Sequence, residues 1–161
     1  MSLLRYDLSN AGHALRRLWQ TLAPLPGGRR LFDAILAAIN PYTGTIGARC
    51  LSLAPGRARV QLRERWRVRN HVGSIHAVAL TNLAELTAGL ALLFRLPVDA
   101  RAIPIRLTID FHRKARGVVT ASASCELPRG FTGERDIGCA IHDASGALVA
   151  SASARWTIGQ T

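Results

Sequence analysis

Residues 70–95 read Asn-His-Val-Gly-Ser-Ile-His-Ala-Val-Ala-Leu-Thr-Asn-Leu-Ala-Glu-Leu-Thr-Ala-Gly-Leu-Ala-Leu-Leu-Phe-Arg, a polar turn that runs directly into a long apolar segment. Residues 75–94 are apolar enough for a membrane span, yet His76, Asn82 and Glu85 lie inside them. A carboxylate at mid-membrane costs about 3 kcal/mol or more. The segment therefore reads as a helix buried on nearly all sides within a protein. Helical spacing sets Val78, Thr81, Asn82, Glu85 and Gly89 on one face and Leu80, Leu83, Leu86 and Leu90 largely on the other.

On both sides of this helix the pattern changes period. Upstream, Arg57, Arg59, Gln61, Arg63, Arg65, Arg67 and Arg69 alternate with Ala58, Val60, Leu62, Glu64, Trp66 and Val68. Period two predicts a half-buried strand with a basic face and Trp66 on its apolar side. A strand over residues 46–54 precedes it, joined through Pro55-Gly56. Downstream, Pro97 breaks the chain, and Ile103, Ile105, Leu107, Ile109 and Phe111 alternate with other residues up to the basic cluster Arg113-Lys114-Ala115-Arg116-Gly117. Strand signals follow over 118–127, 134–142 and 147–158, the last two joined by the turn Asp143-Ala-Ser-Gly146. Ahead of all these, residues 10–23 bring Leu15, Leu18, Trp19 and Leu22 to helical spacing, and a second short helix is predicted over 29–39, ending near Asn40-Pro41. The first helix is read as a cover for the protein's own sheet or pocket. Two short helices, two strands, a long apolar helix and four strands predict an α+β domain, an antiparallel β-sheet around one central helix. The expected organisation is a single domain over 1–161, with a helical segment over 1–45 and the core over 46–161.

A chain of 161 residues, 48% of them apolar, can bury such a core unaided. Cys50, Cys125 and Cys139 lie far apart without metal-ligand spacing, so they read as reduced thiols rather than a disulfide framework or zinc site. With no signal-like pattern after Met1, a cytoplasmic location is expected. The net charge of +11 comes almost wholly from arginine, Lys114 being the one lysine. It implies an attraction to anions without specifying a partner. The basic strand reads as a solvated face whose arginine stems cover apolar neighbours, and nucleic acid is not expected as the ligand.

Chemistry is expected where the turn meets the long helix. The first N–H groups of a helix lack intrahelical partners and its dipole favours negative charge there, which makes an oxyanion site. Two turns on, Glu85 is a carboxylate in apolar surroundings, where its proton affinity should rise as suits an acid/base residue. The same residue could instead pair with an arginine at a subunit contact, and spacing alone leaves both readings open.

Asn70-x-x-Gly73-x-x-His76, followed by an apolar helix with Glu85 nine positions after the histidine, resembles the phenylacetate-degradation type of hotdog thioesterase. In that family an Asn-x-x-Gly-x-x-His-Gly-Gly pattern precedes a catalytic Asp or Glu. The stretch from Ile105 to Gly117 is similar to the family's strand and basic turn, and the tail from Gly133 to Ala150 to its closing hairpin. Residues 70–85 more narrowly resemble a hotdog branch with a domain of unknown function, described as thioesterases. The resemblance implies hydrolysis of an acyl-CoA or acyl-carrier thioester. The N–H of Ala77, and of Val78 beside it, would polarise the carbonyl, and Glu85 would act as base or nucleophile. Asn70 would hold water or the thioester, and His76 would orient the turn.

Gly73, Thr81 and Asn82 are the expected substrate neighbours, and Arg113, Lys114 and Arg116 the candidate cations for the coenzyme A phosphates, with a solvated turn as the alternative. Coenzyme A would enter only as part of the substrate, with no separate cofactor or metal. Ala77 and Glu85 stand roughly 12 Å apart along a helix, too far to reach one carbon, so a homodimer, or a tetramer built from dimers, is expected to complete each site. Ala77-Val78 replaces the family's Gly-Gly, and β-branched Val78 could narrow the slot. A non-catalytic acyl- or lipid-binding hotdog protein is therefore the alternative. Dehydration, suggested by the His71 to Glu85 spacing, ranks below hydrolysis because the proline and glycine elements of hotdog dehydratases are missing.

Overall fold

The computed structural model describes residues 11–160. The start of the first helix at Asn10 and the reading of the segment after Met1 lie outside the described residues. Helices α1 (Ala11–Leu22), α2 (Gly28–Ile39) and α3 (Pro41–Gly44) precede strands β1 (Arg49–Ala54) and β2 (Arg57–Arg63). Then come helix α4 (Ala77–Arg95) and strands β3 (Ala100–Phe111), β4 (Val118–Ser124), β5 (Gly133–Asp143) and β6 (Leu148–Gln160). The strands form one antiparallel sheet in the order β1-β2-β4-β5-β6-β3, with α4 against its inner face. This is the hotdog fold, a sheet wrapped around a long central helix. Although α4 has the length and apolarity of a membrane span, 72% of its most apolar window is buried inside the protein.

Register explains how the sheet holds the helix. Directly opposed residues in antiparallel strands share a face, and Cys50, Val60, Ala121, Ile141, Ala150 and Phe111 form one such row from β1 to β3. The first five are buried beneath α4, while Phe111 at the end of the row is 48% exposed. The alanines of the row, with Ala84, Ala88 and Ala91 on the helix, are all buried in the same core.

Two strand readings need correction. The basic strand ends at Arg63 rather than Arg69, because its pairing with β4 stops at Arg63 and Val118, beyond which Gly117 turns the neighbouring chain away at φ 68°. Glu64 then ties the chain to that turn, accepting from the Gly117 N–H at 2.5 Å and Arg69 Nε at 2.7 Å. Residues Trp66–Val68 form a single 3-10 turn, which leaves Trp66 84% exposed instead of on an apolar strand face. In β3, the register shifts between Pro104 and Arg106. An extra residue in one strand reverses the facing of everything after it. Ile103 consequently lies opposite Thr157, whereas Leu107, Ile109 and Phe111 lie opposite Ala154, Ala152 and Ala150 on the inner face.

The N-terminal helices are fastened to this core at both ends. The Trp19 and Phe32 rings meet edge to face at 5.0 Å, joining α1 to α2. The Arg16 guanidinium donates to the Phe94 and Leu96 carbonyls at the end of α4. Gly12 lies so near the Leu93 carbonyl that a Cβ would collide with it. Beyond Asn40, residues Pro41–Gly44 form the short helix α3. Because Phe32 is fully buried at the junction, Phe32→Ala should lower the unfolding free energy by about 3–5 kcal/mol in urea titrations; a loss below about 1 kcal/mol would show that α1 and α2 are not packed as described.

Candidate active site

The loop before α4 is organised by Asn70. Its Oδ1 accepts from the backbone N–H groups of Val72 and Ser74, each at 3.1 Å, and its Nδ2 donates to Ser74 Oγ at 3.0 Å. Gly73 takes φ 69° with open space around it, so conformation rather than room calls for glycine there. Ile75 N–H donates to the Ala115 carbonyl, which sets the basic turn of residues 113–117 beside the helix start.

At the start of α4, His76 is the N-cap and its Nδ1 accepts from the Val78 N–H at 3.1 Å. The Ala79 and Leu80 N–H groups both reach the His76 carbonyl. The Ala77 N–H has no hydrogen-bond partner among the described residues, and Ala77 is exposed. Of the two expected donors, therefore, Val78 is occupied by the cap and Ala77 is free. The Val78 side chain is 53% exposed and lines a small cleft with His76 and Asn82. Thr81 Oγ1 donates to the Ala77 carbonyl. Asn82 is buried, its Nδ2 donating to the Tyr42 carbonyl at 3.4 Å and its Oδ1 unpartnered among the described residues.

Glu85 opens into a different space, a cavity of about 680 Å³ bounded by α1, α2, α4 and β6. Burial raises its carboxyl above the ordinary value of 4.5. Among the described residues no arginine or lysine forms an ion pair with it. Gly89, one turn on, leaves room for the Trp156 ring: a Cβ there would stand 3.3 Å from Trp156 Cη2 and 3.9 Å from Glu85 Oε1. Trp156 Nε1 is buried without a hydrogen-bond partner among the described residues. Leu86 and Leu90, expected on the opposite face, also line this cavity.

One chain thus separates the expected residues into two places: Asn70, Gly73, His76, Ala77, Val78 and Asn82 around the helix start, and Glu85 in the apolar cavity. Thr81 is turned to its own helix backbone. Arg113, Lys114 and Arg116 are exposed on the turn whose Ala115 carbonyl meets Ile75. The Gly117 N–H, and then Arg69, hold the Glu64 carboxyl below its usual range, with Arg116 also contributing. Sequence reading missed Trp156 and Asn40 in the Glu85 cavity, since cross-strand register and helix packing, neither of them local, bring them there. Gly89, four positions after Glu85, was the one available signal.

Solved structures share this architecture. A structural-genomics target protein superposes with a TM-score of 0.82 at 28% identity, covering 92% of this chain and 99% of that one. A Pseudomonas aeruginosa protein of unknown function, described as a probable thioesterase, gives a TM-score of 0.74 at 24% identity over 85% of this chain and 97% of its own. A Haemophilus influenzae thioesterase gives 0.66 at 16% identity over 74% and 82%. No curated protein matches the sequence. Residues 28–158 match the family described as Domain of unknown function (DUF4442), and the chain belongs to that family of hotdog-fold proteins.

Proposed function

We propose that the protein hydrolyses an acyl-CoA or acyl-carrier thioester at sites shared between two subunits. The observation that carries this reading is Glu85: a carboxylate without an ion-pair partner among the described residues, its proton affinity raised by burial, facing an apolar cavity large enough for an acyl chain. The thioesterases among the structural neighbours point the same way. In the reaction, Glu85 takes a proton from water as the water oxygen attacks the thioester carbonyl. The Ala77 N–H of the other subunit receives the developing oxyanion at the positive end of α4. Collapse breaks the C–S bond, and the Glu85 proton passes to the departing thiolate. Arg113, Lys114 and Arg116 would meet the coenzyme A phosphates, and the three buried free thiols suit a reducing, cytoplasmic setting.

The dimer rests on the edge of the sheet. β3 is an edge strand, and Leu107 and Phe111 on its inner face remain substantially exposed, an unprotected edge of the kind that pairs with another chain. Trp156, in the wall of the Glu85 cavity, pairs in register with Pro104 of β3, so the cavity lies beside that edge. A second reading, acyl binding without turnover, draws on the capping of the Val78 N–H by His76, which leaves a single free donor.

Glu85→Gln should reduce kcat at least about 100-fold with the dimer intact, and the parent's activity should rise with pH through the elevated Glu85 pKa; unchanged turnover would remove Glu85 from the mechanism. A raised carboxyl pKa favours the neutral form in the folded state, so its contribution to stability is full below the ordinary value and lost as pH rises through the folded one. Glu85→Gln should accordingly unfold at higher temperature than the parent near neutrality, with the gap closing below about pH 4. Ala77→Pro removes the free N–H at a helix position where proline is tolerated, after an already extended His76 (ψ 140°). Each single variant should be inactive, and unfolding and refolding an equal mixture should restore roughly a quarter of parental activity, because half the dimers carry one intact site of two. No recovery would place Ala77 and Glu85 of one chain in the same site.

A further inference from the structure

The Glu85 cavity has a direction. Its apolar walls are Leu15 and Leu18 of α1, Ile39 of α2, Leu90 and Leu93 of α4, and Trp156 of β6. Glu85 is the one ionisable side chain in its lining among the described residues, and Leu93 lies two helical turns further along α4. Near Leu93 the two helices meet: Gly12 abuts the Leu93 carbonyl, and Arg16 holds the Phe94 and Leu96 carbonyls at 3.4 and 3.0 Å. Helix α1, which forms the roof, lies outside residues 28–158 that match the family.

We infer that the cavity takes the acyl chain of the thioester, that the preferred substrates carry straight acyl chains of medium length, and that α1 sets that length. This rests on the hydrolase reading and specifies it. From Glu85 to Leu93 the helix rises roughly 12 Å. An extended chain advances about 1.2 Å per bond, as the three bonds of an extended residue do, so about eight to twelve carbons fill the channel. An acetyl group would leave most of it without contacts, and a chain well beyond this length would have to displace α1. Among the described residues the lining offers no cation to a distal carboxylate, which sets dicarboxylic chains outside the preferred class.

The experiment measures kcat/KM over acetyl-, butyryl-, hexanoyl-, octanoyl-, decanoyl-, lauroyl- and palmitoyl-CoA, and, separately, binding of a dansylated undecanoic acid by fluorescence. Turnover should climb by about fourfold per buried methylene to a maximum between octanoyl and lauroyl and then fall. Leu15→Trp, which fills space in the channel, should move the maximum to shorter chains and weaken probe binding at least tenfold. Leu15→Ala should move it to longer ones. If thioesters are hydrolysed with no dependence on chain length and the probe binds Leu15→Trp as it binds the parent, the acyl-channel inference fails while the hydrolase reading stands. If nothing is hydrolysed but the probe binds and Leu15→Trp abolishes binding, the channel stands and hydrolysis fails. A maximum at acetyl- or palmitoyl-CoA that neither variant moves overturns the assignment of chain length to α1.

Discussion

The structure depends on keeping one helix dry along its length and wet at its start. Leu83, Ala88 and Leu92 of α4 have no exposed surface, and the inner face of the sheet supplies their partners. Each fully buried leucine contributes about 1.5–3 kcal/mol, and this burial sustains the one group on the helix that resists it. Glu85 is costly to ionise where it stands. The same apolar packing that makes it costly also raises its proton affinity.

At its N-terminus the helix is arranged in the opposite way. Asn70 spends its side chain on holding the loop, Gly73 supplies the left-handed turn, and His76 closes over the Val78 N–H. Among the described residues, what is left is one exposed amide without a partner, that of Ala77, at the positive end of the dipole. The loop is therefore a polar frame that leaves one donor unspent, while the basic turn of residues 113–117 is fastened beside it through Ala115.

Legibility in the sequence followed the range of the forces involved. Period and turn chemistry are local, so the order of strands and helices, the long buried helix and the hairpin at Asp143 to Gly146 could all be read from residues in a row. The end of β2 could not, because Glu64 leaves the strand to meet Gly117, a residue 53 positions away. Nor could the facing of β3, where the register shift beside Pro104 divides an apparently continuous apolar alternation between two faces. The candidate site divided similarly. The helix start and Glu85 were visible from helix geometry, with Ala77 and Val78 singled out there by the family resemblance, whereas Trp156 joins Glu85 through sheet register and the leucines of α1 through the docking of a separate helix.

The uncovered edge and the divided site have one origin. A nineteen-residue helix lies under a sheet whose row of inner residues is buried from Cys50 to Ala150 and then exposed at Phe111. The helix is covered before the sheet runs out, so β3 extends past its own core and offers Leu107 and Phe111 to something else. A second copy of the chain placed edge to edge at β3 would cover these residues and continue the sheet. It would also bring another helix start toward the side where Pro104 and Trp156 border the Glu85 cavity. In the proposed dimer, the separation that prevents Ala77 and Glu85 of one chain from meeting at a single carbon would make each cavity available to a neighbour's amide.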